Sequence, residues 1–118
     1  MGSGGAQANK FYEEVSKNKL LWFAESEHGH ALELEAPNIN VTFPLWSTES
    51  RIIRLKKLNP GLLQEYYPRK ITWNQFKEVL VPFLNEKERV VGVNLSGKNL
   101  SGFDLSVEML VFQVEAFF

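Results

Sequence analysis

The sequence predicts an α+β domain: an antiparallel or mixed sheet of about five strands, built from two hairpins and an edge strand, with helices mainly on one face. Three observations carry this prediction. The elements read in the order α-β-β-β-α-α-β-β-α, in runs rather than in βαβ alternation. Residues 31–36 (ALELEA) alternate with the period of a strand. Thr72-Trp73-Asn74-Gln75 is a capping box, which fixes a helix start in the middle of the chain.

Residues 1–8 read as a flexible glycine-rich lead-in, and 9–118 as one globular domain. Residues 9–18 predict a short helix that buries Phe11 and Val15, closed by Asn18 and Lys19. Residues 20–27 predict a strand that turns at His28-Gly29-His30 and returns through 31–36. Two turn lengths remain open. A two-residue turn sets Trp22 opposite Glu35 on a wet face, and a three-residue turn sets it opposite Ala36 in the core, because a one-residue slip moves every side chain across the sheet. Pro37-Asn38 breaks the chain, and residues 40–46 form a third strand. Pro44 lacks a ladder donor, so this strand is expected at an edge or bulged.

Ser47 or Thr48 is expected to cap a helix over 48–58, with Ile52, Leu55 and Leu58 inward and Arg51, Arg54, Lys56 and Lys57 outward. Residues 62–70 read as a connector. The capped helix from Trp73 carries Phe76, Val79, Leu80, Phe83 and Leu84 at helical spacing, and Pro82 should kink it or begin a new turn. Residues 89–95 and 100–105 form a second hairpin. They also split into VNLSG, KNLSG and FDLSV, but a five-residue solenoid needs many more coils to bury a core. Ser106 caps a last helix, 107–117, which is apolar nearly all round and must be buried or form an interface.

Composition removes several functions. The 118 residues hold no Cys, which excludes disulfides, thiolate nucleophiles and Cys-based zinc sites and fits a reducing cytosol. Met1-Gly2-Ser3-Gly4-Gly5 is no signal-peptide start, and no apolar stretch approaches a membrane span. Net charge is −1, so bulk attraction to nucleic acid or membrane is not expected. The charge is unevenly spread. Residues 11–50 carry seven Glu against Lys17 and Lys19, a balance of −5; residues 51–70 carry six Lys and Arg against Glu65, a balance of +5. Such asymmetry predicts one acidic and one basic face.

No phosphate loop, dinucleotide fingerprint or nucleophile elbow occurs. His28 and His30, the only histidines, flank a turn glycine and lack the further ligands a metal site needs. Asp104, the only Asp, sits beside a turn, where capping is its expected role. Asn94-Leu95-Ser96 matches the glycosylation pattern by chance. No catalytic residue, cofactor or metal is therefore predicted.

Certain pieces do combine into a family pattern: Leu21-Trp22, the Gly29 turn with Ala31-Leu32, Pro44-Leu45-Trp46-Ser47, Trp73-x-x-Phe76 running to Val81-Pro82, Val91-Gly92-Val93-Asn94, and Gly102-Phe103-Asp104-Leu105. The chain resembles, over about residues 10 to 115, the small bacterial family called domain of unknown function 2750. The resemblance implies a compact α+β domain of the bacterial cytoplasm and no assigned activity.

The leading expectation is a non-catalytic protein-interaction module. It would meet a protein partner, or a second copy, through the basic helix or the apolar C-terminal helix. An alternative is a small-anion-binding or hydrolytic site near Pro44–Ser47, where Trp46 lines the site and the forked guanidinium groups of Arg51 and Arg54 clamp the anion. A second alternative is weak nucleic-acid binding by the basic helix with Tyr66, Tyr67 and Arg69, cations for phosphate and aromatics for stacking.

Overall fold

The computed structural model describes residues 3–35 and 41–118. The Pro37-Asn38 break, Ala36 and Asn40 lie outside the described residues. The fold is α+β. Helix α1 spans Ser3–Asn18, strand β1 Leu20–Ser26, β2 Leu34–Glu35, β3 Val41–Leu45, helix α2 Glu49–Leu58, α3 Pro60–Leu63 and strand β4 Tyr66–Thr72. A helical arm follows as α4 Trp73–Gln75, a π-helical segment Phe76–Leu80 and α5 Val81–Glu86. Strands β5 Val90–Ser96 and β6 Ser101–Leu105 lead into α6, Val107–Glu115. No helix among the described residues is long and apolar enough to cross a membrane.

The strands form two sheets. One is the antiparallel pair β1–β4; the other has the order β2-β3-β5-β6. In the larger sheet β3 and β5 run parallel while the outer pairs are antiparallel, so the sheet is mixed. An isolated bridge between Trp22 and Trp46 joins the two sheets, each residue donating its N–H to the other's carbonyl at 2.8 Å.

Alternation along the strands separates two cores. Leu21 of β1, Phe43 and Leu45 of β3, and Val91 and Val93 of β5 face α1, the α4–α5 arm and α6 in the main core. Trp22 and Ala24 point the other way, with Trp46, into a second core closed by Ile52 and Leu55 of α2 and Leu63 of α3. Neither register considered for the first hairpin is the observed one. Glu25 pairs with Ala31 around a tight Glu27-His28-Gly29 turn, Gly29 having φ +85°. The hairpin is short, and Trp22 leaves it to meet Trp46. There is consequently no wet face at Trp22, which is half-buried against the second core.

Other elements depart from the sequence reading for identifiable reasons. The sequence reads 62–70 as a connector, but from Tyr66 the chain is β4, which runs to Thr72 and pairs with β1 along its whole length from Leu20↔Thr72 to Ser26↔Tyr66. Pro68 is tolerated there because β4 is an edge strand. Strand β3 lies inside its sheet, yet Pro44 costs no bond. Trp46 turns its N–H and C=O toward Trp22, and strand alternation puts the Pro44 nitrogen on that same side. There it falls in the gap between the Leu34↔Thr42 pairing and the Trp22 bridge. Helix α1 starts at Ser3 rather than at residue 9, and Ala8 is buried. Thr48 is the N-cap residue of α2 by position, but its side chain makes no capping bond. Ile52 and Leu55 are buried as expected, whereas Leu58 is exposed.

The capping box is present: Thr72 Oγ1 accepts from the Gln75 N–H at 3.1 Å, and Gln75 Oε1 accepts from the Thr72 N–H at 3.0 Å. The response to Pro82 is a π turn. The Val81 N–H reaches back five residues to the Phe76 carbonyl, and the widened turn absorbs the donor that Pro82 lacks. The extra residue changes the phase of the helix. Phe76 and Leu84 stay buried, while Val79 and Phe83 rotate outward.

Gly92 explains Asp104. Asp104 is the β6 partner of Gly92, and Thr42, whose β5 partner is Val90, donates its hydroxyl to Asp104 Oδ2 at 3.3 Å across the glycine. A Cβ on Gly92 would lie 2.9 Å from both side chains. Asp104 is thus a cross-strand acceptor and not a turn cap.

Helix α6 is tied to the arm by Glu115, whose Oε2 accepts from the Trp73 indole at 2.9 Å and from Lys77 Nζ at 2.6 Å. The Lys77 hydrogen bond, then the Trp73 one, hold the Glu115 carboxyl below the usual carboxylate range. A lowered native pKa contributes stability above the unfolded value, which is lost as pH falls through the native one. Melting temperature recorded from about pH 7 down to about pH 3 should therefore decline less steeply at its acid end in Glu115→Gln than in the parent chain. Superimposable acid limbs would show that the tie carries no linkage.

Candidate functional site

The Pro44–Ser47 junction holds the densest polar cluster among the described residues. Strand β3 delivers Trp46 and Ser47 to the end of β5, where Asn94 has a left-handed backbone, φ +51°, at the irregularity between Val93 and Ser96. Both Ser47 and Asn94 are completely buried. Asn94 Oδ1 accepts from the Ser47 N–H at 2.9 Å, and Asn94 Nδ2 donates to Ser47 Oγ at 3.1 Å and to the Gln7 carbonyl at 3.3 Å. Ser47 Oγ in turn donates to Glu14 Oε1 at 2.5 Å. The same carboxylate oxygen takes Arg51 Nη2 at 3.3 Å. The Trp46 indole donates to the Leu95 carbonyl at 2.9 Å.

This arrangement does one thing well: it locks α1 and the start of α2 onto the end of β5. A serine hydroxyl on a carboxylate resembles the beginning of a nucleophilic site. Here, however, the hydroxyl is sealed from solvent, and its partners come from the chain itself. The anion clamp expected of Arg51 is already occupied, by Glu14. Trp46, expected to line a site at this junction, has no exposed surface and acts as a core residue and sheet bridge.

The remaining candidate residues do not converge on this cluster. Arg54 is exposed on the outer face of α2, beside Glu49, Ser50, Ile53 and Lys57. Tyr66 packs against the second core, and its carbonyl accepts from Lys56 Nζ. Lys56 also lies 3.9 Å from the centre of the exposed Tyr67 ring, a cation–π contact. Arg69 pairs with Glu25 at 3.0 Å across the β1–β4 pair. Of the cations that suggested phosphate binding, Arg51 and Arg69 are thus matched by carboxylates, and Lys56 is folded onto β4. Arg54 and Lys57 remain outward on α2. His28 and His30 are exposed on the turn, and no group of three or more metal-binding side chains occurs among the described residues.

Glu14, Ser47 and Asn94 escape a site reading of the sequence. Glu14 looks like any solvent-facing acid of a short helix, Ser47 like a cap, and Asn94 like part of a chance glycosylation pattern. Asn94 is buried, so in the folded chain it offers no acceptor for a glycan. One signal was available. Pro44-Leu45-Trp46-Ser47 and Val91-Gly92-Val93-Asn94, two separate pieces of the family pattern, end in the two residues that bond to each other.

Asn94 tolerates a left-handed backbone better than most residues, and its amide satisfies the buried Ser47 N–H. Asn94→Ala should cost about 2–4 kcal/mol, combining backbone strain with an unpaired buried donor. Asn94→Gly, which loses the same amide but carries no left-handed strain, should cost less. Denaturant midpoints at unchanged slope would measure both; equal losses would mean the backbone contributes nothing.

No curated protein matches the chain. The model of a family described as "Protein of unknown function (DUF2750)" matches residues 8–113, nearly the full length. The match takes in the junction, the Ser47–Asn94 lock and most of α6, and the chain belongs to this DUF2750 family.

Proposed function

We propose that this domain is a non-catalytic protein-interaction module of the bacterial cytosol and that the outer face of α6 is its contact surface. The observation that carries the proposal is Phe112, which is 67% exposed in the middle of a helix. Helix α6 buries Val107, Leu110 and Val114 and turns Met109 and Phe112 to solvent, one turn apart. Phe117 and Phe118 follow, also exposed. Phe118 is only partly engaged, edge-on to Trp73 at 6.4 Å with Lys19 Nζ 4.0 Å from its ring. Isolated surface apolar residues need no explanation, but a run on successive turns of one element is the usual mark of a contact face. Occupation of the Arg51 clamp by Glu14 supports this reading over an anion site, and the matched cations support it over nucleic-acid binding.

The test is to recover the tagged chain from its own host at low salt and at roughly 0.5 M salt, where exposed charge contacts are screened, alongside Phe112→Glu. An apolar contact predicts a stoichiometric partner retained at both salts and lost from the variant. The variant's own stability should stay within about 0.5 kcal/mol of the parent, because the ring packs on little. Recovery of the same companions by parent and variant, or of the bare chain in every case, would remove α6 as the contact surface.

A further inference from the structure

A second apolar surface lies away from α6, where the π turn meets the seam between the two sheets. It is an open groove of about 570 Å³. Phe23 of β1 and Phe43 of β3 form its floor, their rings 5.8 Å apart and tilted by 46°. Val79 and Phe83, turned outward by the π turn, form one wall and are 63% and 40% exposed.

The rim is acidic. Glu25 and Glu33 line the groove, and Glu27 and Glu35 are exposed on the same segments. Arg69 answers Glu25, and Arg89 answers Glu33 through Nε at 2.9 Å. That leaves four carboxylates against two guanidinium groups.

The complementary surface is on the same chain. Helix α2 exposes Ile53 and Leu58, each about 40%, and sets Arg54 and Lys57 beside them. Ile53 and Lys57, and Arg54 and Leu58, are four residues apart and therefore neighbours on one helical face. This face is apolar and carries two cations against the single Glu49 at its N-terminal end, where the groove is apolar and acidic. The complementarity draws on part of the −5 and +5 split along the sequence: four of the seven Glu and two of the six Lys and Arg. The two surfaces cannot meet within one molecule. Helix α2 packs on the Trp22–Ala24 side of β1, and the groove opens on the Phe23 side.

We infer that the groove receives the Ile53–Leu58 face of α2 from a second copy of the chain. The contact joins two different surfaces, so it is head-to-tail and leaves every assembly with a free groove at one end and a free α2 at the other, unless a ring closes. One helix of about three turns covers less than a standard stable interface, so association is weak and depends on concentration. It does not involve α6, and it stands or falls separately from the function proposed above.

The test is the solution mass of the full chain by sedimentation, from about 10 µM to about 1 mM, at low salt and at roughly 0.5 M salt. Mass should rise with concentration and fall with salt. Val79→Lys sets a cation against Arg54 and Lys57; Ile53→Glu sets an anion against Glu25 and Glu33. Each should remain monomeric, weakened about tenfold or more, and their exposed positions should leave the melting temperature unchanged. The first variant keeps a working α2 and the second a working groove. An equimolar mixture should therefore form a one-to-one complex and nothing larger. A parent chain that stays monomeric throughout, or a mixture that never exceeds monomer mass, would overturn the inference. So would association abolished by Phe112→Glu and untouched by Val79→Lys, which would assign it to α6.

Discussion

The pair of backbone hydrogen bonds between Trp22 and Trp46 holds this fold together in a way no single element does. Without it the β1–β4 pair and the four-stranded sheet are separate layers, and neither has enough strands on its own to close two cores. The bridge sits where the indole of Trp46 is fully buried and that of Trp22 is half-buried, so water competes poorly for the bonded groups. Its position also accounts for the proline two residues earlier, which occupies the one place on β3 with no partner on that side. The residue after the bridge is Ser47. Once Trp46 is fixed, Ser47 is fixed as well, and the Asn94 lock and the Glu14 contact follow from its placement.

The lock illustrates why buried polar groups act together or not at all. Ser47 and Asn94 satisfy one another and draw in Glu14 and the Gln7 carbonyl from α1. Each partner lost would strand a buried donor or acceptor, and that penalty exceeds the modest net worth of a typical hydrogen bond. Arg51 completes the charge pairing but keeps a buried Nε with no partner. The cluster therefore attaches the N-terminal helix with defined geometry at some cost in stability. A specificity role of this kind fits a structural lock better than a reactive centre.

What could be read from the sequence follows the range of the interactions. The capping box at Thr72 and the cap at Ser106 are local, and each is present as its residues imply; a turn forms at Gly29 too, though in neither of the two registers considered. The β5–β6 hairpin is also local, and its strands fall on the 89–95 and 100–105 segments read from the sequence. The pairing of β1 with β4 is not local: strand 66–72 carries Pro68 and too little apolar alternation to be distinguished from a connector. The second core was invisible for the same reason. A strand covered on both faces loses the alternation that would announce it, and Trp22 offered only the choice between one core and solvent. Val79 and Phe83 show the opposite error. Their spacing fits an α-helical stripe, and it is the π turn that takes them out of the core. The surroundings of the candidate site residues were hidden for a related reason: Trp46 is buried and Arg51 is paired by segments far away in the chain.

The routes by which this domain can associate are narrowed by how its sheet edges end. Strand β4, an outer edge, carries Pro68 followed by Arg69 and Lys70, devices that discourage strand addition. Strand β6, the other long edge, is only five residues, and the irregularity opposite it, at Asn94, disturbs the flat ladder that an added strand requires. Main-chain pairing between copies is thereby disfavoured, which leaves side-chain faces. These faces differ in character. The α6 face has Met109 and Phe112, with Glu108 and the Lys77-paired Glu115 as the charged neighbours of Phe112 on the helix, and suits a contact carried by apolar area. The groove at Phe23 and the basic face of α2 couple apolar area to opposite charge, and suit a weaker contact whose partner is selected electrostatically. On the two proposals together, the domain would hold one neighbour through a salt-tolerant contact while exchanging another through a salt-sensitive one.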